Sequence, residues 1–169
     1  TTLLDDGVMS MTCQPYPDSR QGSIVWYLVP VKSGPPSKVP FENVLANTKL
    51  SQQARLLQWV NQARAKEGLT RLKAGQATVA TVTRQLAKSQ SILHDRGEAK
   101  RANDQLRAVG GRLVGENRVK GASLQDMAWL LWNSPRHRGL LLDRTATQLG
   151  VSTQKLKNEE FAVLVFAKL

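Results

Sequence analysis

Residues 161–167, FAVLVFA, are apolar at every position, and no other stretch constrains the fold as tightly. A strand with one face in water alternates apolar and polar side chains, whereas a strand that is apolar throughout needs cover on both faces. LGVSTQKL precedes it, separated by the polar turn KNEE, so the two segments are predicted to form an antiparallel hairpin. The upstream sequence has helical periodicity that can cover both faces. The predicted fold is therefore α+β, a three-layer α-β-α sandwich around a mainly antiparallel sheet.

The covering helices are read from spacing and stop signals. Leu50, Ala54 and Leu57, with Leu56, Val60 and Ala63 one step round, form a stripe that ends at Gly68. Val79, Val82, Leu86 and Leu93 predict a second helix over residues 75–94, with His94 in its last turn at the rim of the buried face. RGEAKRANDQLRAVGGRLVGEN follows as a short helix, a loop and a brief extended segment. Its glycines lack the Gly-Lys-Ser/Thr ending of a phosphate loop. A third principal helix starts at Ser123, three residues before Asp126, with Leu124, Met127, Ala128 and Leu131 inward and Trp129 and Trp132 widening the stripe. Asn133-Ser134-Pro135 stops it and starts another helix, which puts His137 in a first turn.

Composition divides the chain. Six of the seven prolines lie in residues 1–40, flanking SIVWYLVPV, which reads as an edge strand because Pro30 cannot donate a ladder hydrogen bond. Residues 1–49 are read as an N-terminal extension and 50–169 as the main domain. Residues 1–49 hold four basic and four acidic side chains, and residues 50–169 hold twenty and nine, so the whole net charge of +11 falls in the second part. That field attracts anionic polymers and lipid head groups. The basic residues are interleaved with acids and no aromatic recognition motif accompanies them, which argues against nucleic acid as a partner. No run approaches the roughly 20 apolar residues of a spanning helix. Cys13 stands alone, so no internal disulfide or thiolate zinc cage is available, and it is read as a free thiol. Thr1 opens with no charged and apolar leader, so a signal peptide is read as removed or never present.

The chain has two histidines, and their setting singles out a small polar set. Glu116 stands between Gly115, where glycine permits an unusual backbone path, and Asn117, and His137 follows a forced helix stop. His94, Glu116 and His137 are the candidate site residues, with Asn117, Asn133 and Ser134 as neighbours. No nucleophile sits at recognisable spacing from a base, and neither GxSxG nor HExxH occurs.

GEN at 115–117, Trp132 in LLWNSPRHRGLLL, QLGVS at 148–152, the ending FAVLVFAKL and the opening LLQWVNQARAKEGLTRLK resemble the bacterial branch of the CAP superfamily, the cysteine-rich secretory, antigen 5 and pathogenesis-related proteins. The resemblance covers about residues 50–169. It implies an α-β-α sandwich, an extracytoplasmic (periplasmic or secreted) location, and a cleft lined by two histidines and acidic residues, matched here by His94, Glu116 and His137. Animal and plant members carry a second glutamate just after the tryptophan matched by Trp132. Here Asn133 and Ser134 follow, so the cleft is less negative and cation binding is weakened.

Three functions are weighed. The first is a non-catalytic module that binds an anionic or lipid-like envelope component, or a protein, through the cleft and the basic surface, with no cofactor required. The second is a hydrolase in which His94, His137 and Glu116 hold zinc and leave a position for activated water, or shuttle protons without metal. The third is an assembly component that docks a protein partner through residues 1–49 by strand addition.

Overall fold

The structure, a computed structural model, describes residues 38–169. The edge strand expected near residues 24–31 and Cys13 lie outside the described residues.

The elements in order are α1 (Glu42–Leu45), α2 (Gln52–Lys66), β1 (Lys73–Ala74), α3 (Ala77–Ala87), α4 (Arg96–Arg107), β2 (Arg112–Gly121), α5 (Leu124–Asn133), α6 (Pro135–Leu141), β3 (Gln148–Lys155) and β4 (Glu160–Lys168). They build a four-stranded sheet in the order β1-β3-β4-β2. β3 pairs with β4 and β4 with β2 antiparallel, and the two-residue β1 joins β3 parallel. The sheet is thus mainly antiparallel, and β4 lies inside it.

Alternation along β4 divides the core in two. Ala162, Leu164 and Phe166 enter one cluster with Leu45, Leu56, Trp59, Val60, Met127, Leu131 and Leu141, from α1, α2, α5 and α6. Phe161, Val163, Val165 and Ala167 enter the other with Val79, Val82, Leu86, Ala102 and Leu106, from α3 and α4. The apolar run at 161–167 is therefore covered on both faces, and the three layers follow from it. On the second face two glycines let α3 approach closely. A Cβ on Gly150 of β3 would collide with Thr83 Oγ1, and one on Gly75 would meet Val79 Cγ1 at 2.8 Å.

Ser123 caps α5 by accepting from the Asp126 amide at 3.1 Å, and Pro135 opens α6. The buried face of α2 differs from the expected stripe: Leu56, Trp59, Val60, Ala63 and Arg64 are buried, whereas Leu50, Ala54 and Leu57 are only half-buried. Trp59 also donates from Nε1 to the Pro40 carbonyl at 2.8 Å, so the segment around Val39, Val44 and Leu45 shares the main core.

The second helix is shorter than predicted. α3 ends at Ala87, and residues 88–95 form an irregular connection to α4. Gln90 takes a left-handed φ of 50°, which breaks the helical path. Serine side chains then compete for the backbone: Ser89 Oγ donates to the Leu86 carbonyl, and Ser91 Oγ accepts from the Leu93 amide. Leu93, expected in the buried stripe, is 51% exposed. No helix among the described residues is long and apolar enough to cross a membrane.

Candidate functional site

The candidate residues gather around the edge strand β2. The register sets Glu116 opposite Val165 and Arg118 opposite Val163, on the face covered by α3 and α4, whereas Asn117 lies opposite Leu164 on the other face. The strand reaches this register through a bulge, because Leu113 pairs with Ala167 and Gly115 with Phe166, leaving Val114 extra. Gly115 does not have the unusual backbone path expected of it, since the positive-φ glycines among the described residues are Gly68 and Gly110. It is small for a reason of space. A Cβ there would meet the Leu140 side chain at 3.0 Å, so its absence lets α6 lie against β2.

His94 is not in a helical turn but just ahead of Asp95, the N-cap of α4. Its Nδ1 lies 2.9 Å from Glu116 Oε1. An ionised carboxylate only accepts, so Nδ1 donates to it, and Nε2 accepts in the neutral ring and donates in the imidazolium. The pair is lopsided in burial, with the His94 side chain 46% exposed and that of Glu116 6%.

Arg118, two residues along the same face, organises this corner, and the sequence reading did not single it out. Its side chain is fully buried. Nη2 donates to Glu98 Oε2 at 2.7 Å and lies 3.1 Å from Glu116 Oε1. Nη1 donates to Ser89 Oγ at 3.2 Å and to the Leu93 carbonyl at 3.1 Å, with the Ser91 carbonyl at 3.4 Å. One guanidinium therefore bridges two carboxylates and fixes the connection that carries His94. Burial by itself would raise the Glu116 pKa. The hydrogen bond from His94 and the charge and hydrogen bond of Arg118 outweigh it, and the carboxyl is held below its ordinary range.

His137 comes from α6 on the other side of the strand. Asn117 Nδ2 donates to the His137 carbonyl at 3.1 Å, tying that helix turn to β2. The imidazole Nδ1 is buried without a hydrogen-bond partner. Burial lowers its pKa first, and the charges of His94 and Arg136 lower it further, which favours the neutral ring. The two imidazoles thus sense each other electrostatically, but no hydrogen bond among the described residues joins His137 to His94 or Glu116. Trp132 braces the α5–α6 junction, with Trp59 edge-on at 6.4 Å and the Arg138 guanidinium 5.7 Å over its ring. Asn133 Nδ2 donates to the Trp129 carbonyl within its own helix, and Ser134 caps α6 without a side-chain cap bond.

The arrangement does not suit a three-ligand metal site. Glu116 already faces a guanidinium and an imidazole N–H, which oppose a cation on the same oxygens. Among the described residues no cluster of three or more His, Cys, Asp or Glu side chains is placed to hold a metal ion. Two hollows of about 260 Å³ lie elsewhere, one lined by Arg64, Glu67 and Arg144, the other by Leu86, Glu98 and Arg101 between α3 and α4, and neither includes a histidine.

Comparison with known proteins places the chain in a family. No curated protein matches the chain in sequence. Among solved structures, an outer surface protein from Borrelia burgdorferi superposes with a TM-score of 0.57 at 22% identity, over 67% of this chain and 89% of that one. A cysteine-rich secretory protein from Staphylococcus aureus gives 0.51 at 16% identity, over 68% of this chain and 38% of that one. The CAP domain of enterococcal PrgA gives 0.51 at 19% identity, over 69% and 59%. At these identities the likeness speaks for the fold. The sequence profile of the cysteine-rich secretory protein family, CAP, matches residues 57–167, most of the chain and every element from the middle of α2 to β4, and the protein belongs to that family.

Proposed function

We propose that this CAP domain works outside the cytoplasm as a non-catalytic binding module, taking an anionic group of an envelope component at the open rim beside His94. The observation that carries this reading is the occupation of Glu116. With Arg118 Nη2 at 3.1 Å and His94 Nδ1 at 2.9 Å from Oε1, the carboxylate is neither a free general base nor an open cation ligand. What faces solvent is an exposed ring, oriented by that carboxylate, which as an imidazolium donates from Nε2 to an anion, on a domain whose residues 50–169 carry twenty basic and nine acidic side chains. Such a surface draws anions and repels cations. The surface and secretory settings named for the Borrelia and Staphylococcus proteins support an extracytoplasmic location.

Titration with inorganic phosphate, followed through the imidazole NMR resonances, tests the reading. We expect saturable shifts at His94 and a loss of affinity of about tenfold, the worth of one charge-assisted hydrogen bond, in His94→Ala. Equal affinity in the wild type and the variant overturns it.

A second reading has one observation in its favour. A carboxylate 2.9 Å from an imidazole Nδ1 is the arrangement that orients a histidine for proton transfer from Nε2. If the pair works as an acid–base dyad, a hydrolysis screen with ester and phosphoester substrates will show activity that both His94→Ala and Glu116→Gln abolish. Zinc calorimetry on the wild type and His94→Ala/His137→Ala tests the metal version, for which equal affinity removes this site.

A further inference from the structure

The connection between α3 and α4 displays apolar side chains that it has no geometric need to display. Ile92 is 45% and Leu93 51% exposed, side by side where the chain bends between α3 and α4. Isolated exposed aliphatics are ordinary on a protein surface. This pair is different because its backbone is fixed from beneath. The carbonyls of Ser91 and Leu93 and the hydroxyl of Ser89 all face Arg118 Nη1, and the Leu93 amide donates to Ser91 Oγ at 3.1 Å. A buried guanidinium, held in turn by Glu98 and Glu116, thus draws the polar backbone inward and leaves the two side chains pointing away from it.

Over residues 88–96 two cations, Lys88 and Arg96, face one carboxylate, Asp95, which leaves a net positive charge. Lys88 and Arg96 flank the bend, both exposed and neither in an ion pair among the described residues. Of the nearby acids, Glu98 is paired with a cation, whereas Asp95 keeps its charge and is held as a helix cap. Asp95 accepts from the Glu98 amide at 2.7 Å as the cap of α4, and Glu98 bonds Arg118. An aliphatic pair on a fixed bend flanked by two exposed cations outside any ion pair matches the boundary of an acidic bilayer, where side chains enter the acyl region and cations meet head-group phosphates. A protein partner would need about 800 Å² of complementary surface and anchoring aromatic or arginine side chains, and the bend presents two aliphatic residues.

We propose that residues 88–96 form a membrane-docking element, with Ile92 and Leu93 inserted into the interfacial layer of an anionic bilayer and Lys88 and Arg96 on its phosphates. This rests on the reading of a basic, anion-taking surface but does not require a ligand on His94.

The test is co-sedimentation of the full chain with vesicles of phosphatidylcholine alone and of phosphatidylcholine with about one-third phosphatidylglycerol. Binding is expected on the acidic vesicles only, and is expected to fall steeply at about 1 M salt, where the screening length is about 3 Å. Ile92→Ser/Leu93→Ser removes exposed side chains, so the melting temperature should hold while affinity for acidic vesicles drops by about tenfold or more. In Leu93→Trp the added indole, taken as the difference from wild type, should shift to the blue on binding and be quenched by brominated acyl chains. The proposal is overturned if the double serine variant binds as the wild type does, if the added indole does not move, or if the wild type ignores acidic vesicles. His94→Ala keeps the two readings apart. Vesicle binding that survives it while phosphate binding is lost supports both. Phosphate binding without vesicle binding leaves the His94 site and removes the docking element.

Discussion

Two arginines are buried in this domain, Arg64 at 1% and Arg118 at 3% exposure, and they are held in opposite ways. Arg64, on α2, donates from Nε to the Thr70 carbonyl at 2.9 Å and from Nη1 to the carbonyls of Leu141 and Asp143 at 3.0 and 2.8 Å. Its hydrogen bonds, all to backbone carbonyls, tie the end of α2 to the connection between α6 and β3. Burial lowers its pKa, partly offset by the charge of Asp143. Arg118 meets two carboxylates as well as the 88–95 connection. The difference separates a structural tie from a functional corner. Backbone carbonyls take the hydrogen bonds where a buried cation only joins two loops, whereas Arg118 also fixes the ionisation of Glu116 and, through it, the orientation of His94.

Arg118→Met is expected to have the largest effect. Removing the guanidinium leaves two buried or half-buried carboxylates facing each other and frees the connection that carries His94. Loss of one member of a buried charge cluster costs about 3–5 kcal/mol, which urea denaturation will read as a lower midpoint. Adding Glu116→Gln should recover part of that loss, because one of the stranded charges is gone. Arg64→Met strands carbonyls and removes a nearby charge from Asp143 but breaks no ion pair with a carboxylate, so it should cost about 1–3 kcal/mol. If Arg64→Met costs as much as Arg118→Met, counter-charge is not what distinguishes the two.

Acid titration sharpens the same contrast. The folded pKa of Glu116 lies below its unfolded value, so the unfolded chain takes up a proton first as pH falls. The stability that Glu116 contributes is fully present above about pH 4.3, the ordinary glutamate value, and is lost as pH falls through the lower folded value. Urea midpoints across this window should flatten in Glu116→Gln. Asp143 is lowered too; burial opposes this, but hydrogen bonds from Thr145 and Ala146 and the charge of Arg64 outweigh it, so Asp143→Asn should remove a separate part of the slope. His137 acts at higher pH with the same sign. Its folded pKa is depressed, so its contribution is present above about pH 6.5 and declines as pH falls below that, a slope that His137→Asn should remove.

The sequence shows the architecture well and the corner around Arg118 poorly. Phe161 through Ala167 required two covering layers, and both exist; Ser123 and Pro135 mark helix starts by local chemistry and were readable for that reason. The end of α3 was not. The spacing of Val79, Val82, Leu86 and Leu93 extends the helix to Leu93, but Gln90 leaves the helical region and a strand more than twenty residues downstream contributes the side chain that holds the diverted carbonyls. No local signal announces an arginine in a strand as buried, since such residues usually face water. Arg64 was hidden the same way, on a helix position next to the apolar face. Glu116 and His94 were singled out by their setting and by the family resemblance, yet their hydrogen bond and the role of Arg118 in it are nonlocal.

The smallest effect closes the comparison from the other side. Lys100 Nζ lies 2.7 Å from Asp104 Oδ2, the same separation as between Arg118 Nη2 and Glu98 Oε2. By distance alone the two bridges are equal. Their surroundings are not, because the Lys100 and Asp104 side chains are 77% and 53% exposed, whereas Arg118 is fully covered and Glu98 is 24% exposed. Water solvates both ends of the helix-surface pair when it opens, and salt screens it when it is closed. Lys100→Ala should therefore change stability by less than about 0.5 kcal/mol, and that change should vanish at high salt, whereas the loss in Arg118→Met should persist there. A large, salt-resistant loss in Lys100→Ala would mean that separation, rather than burial and the number of groups gathered on one guanidinium, sets the strength of these bridges.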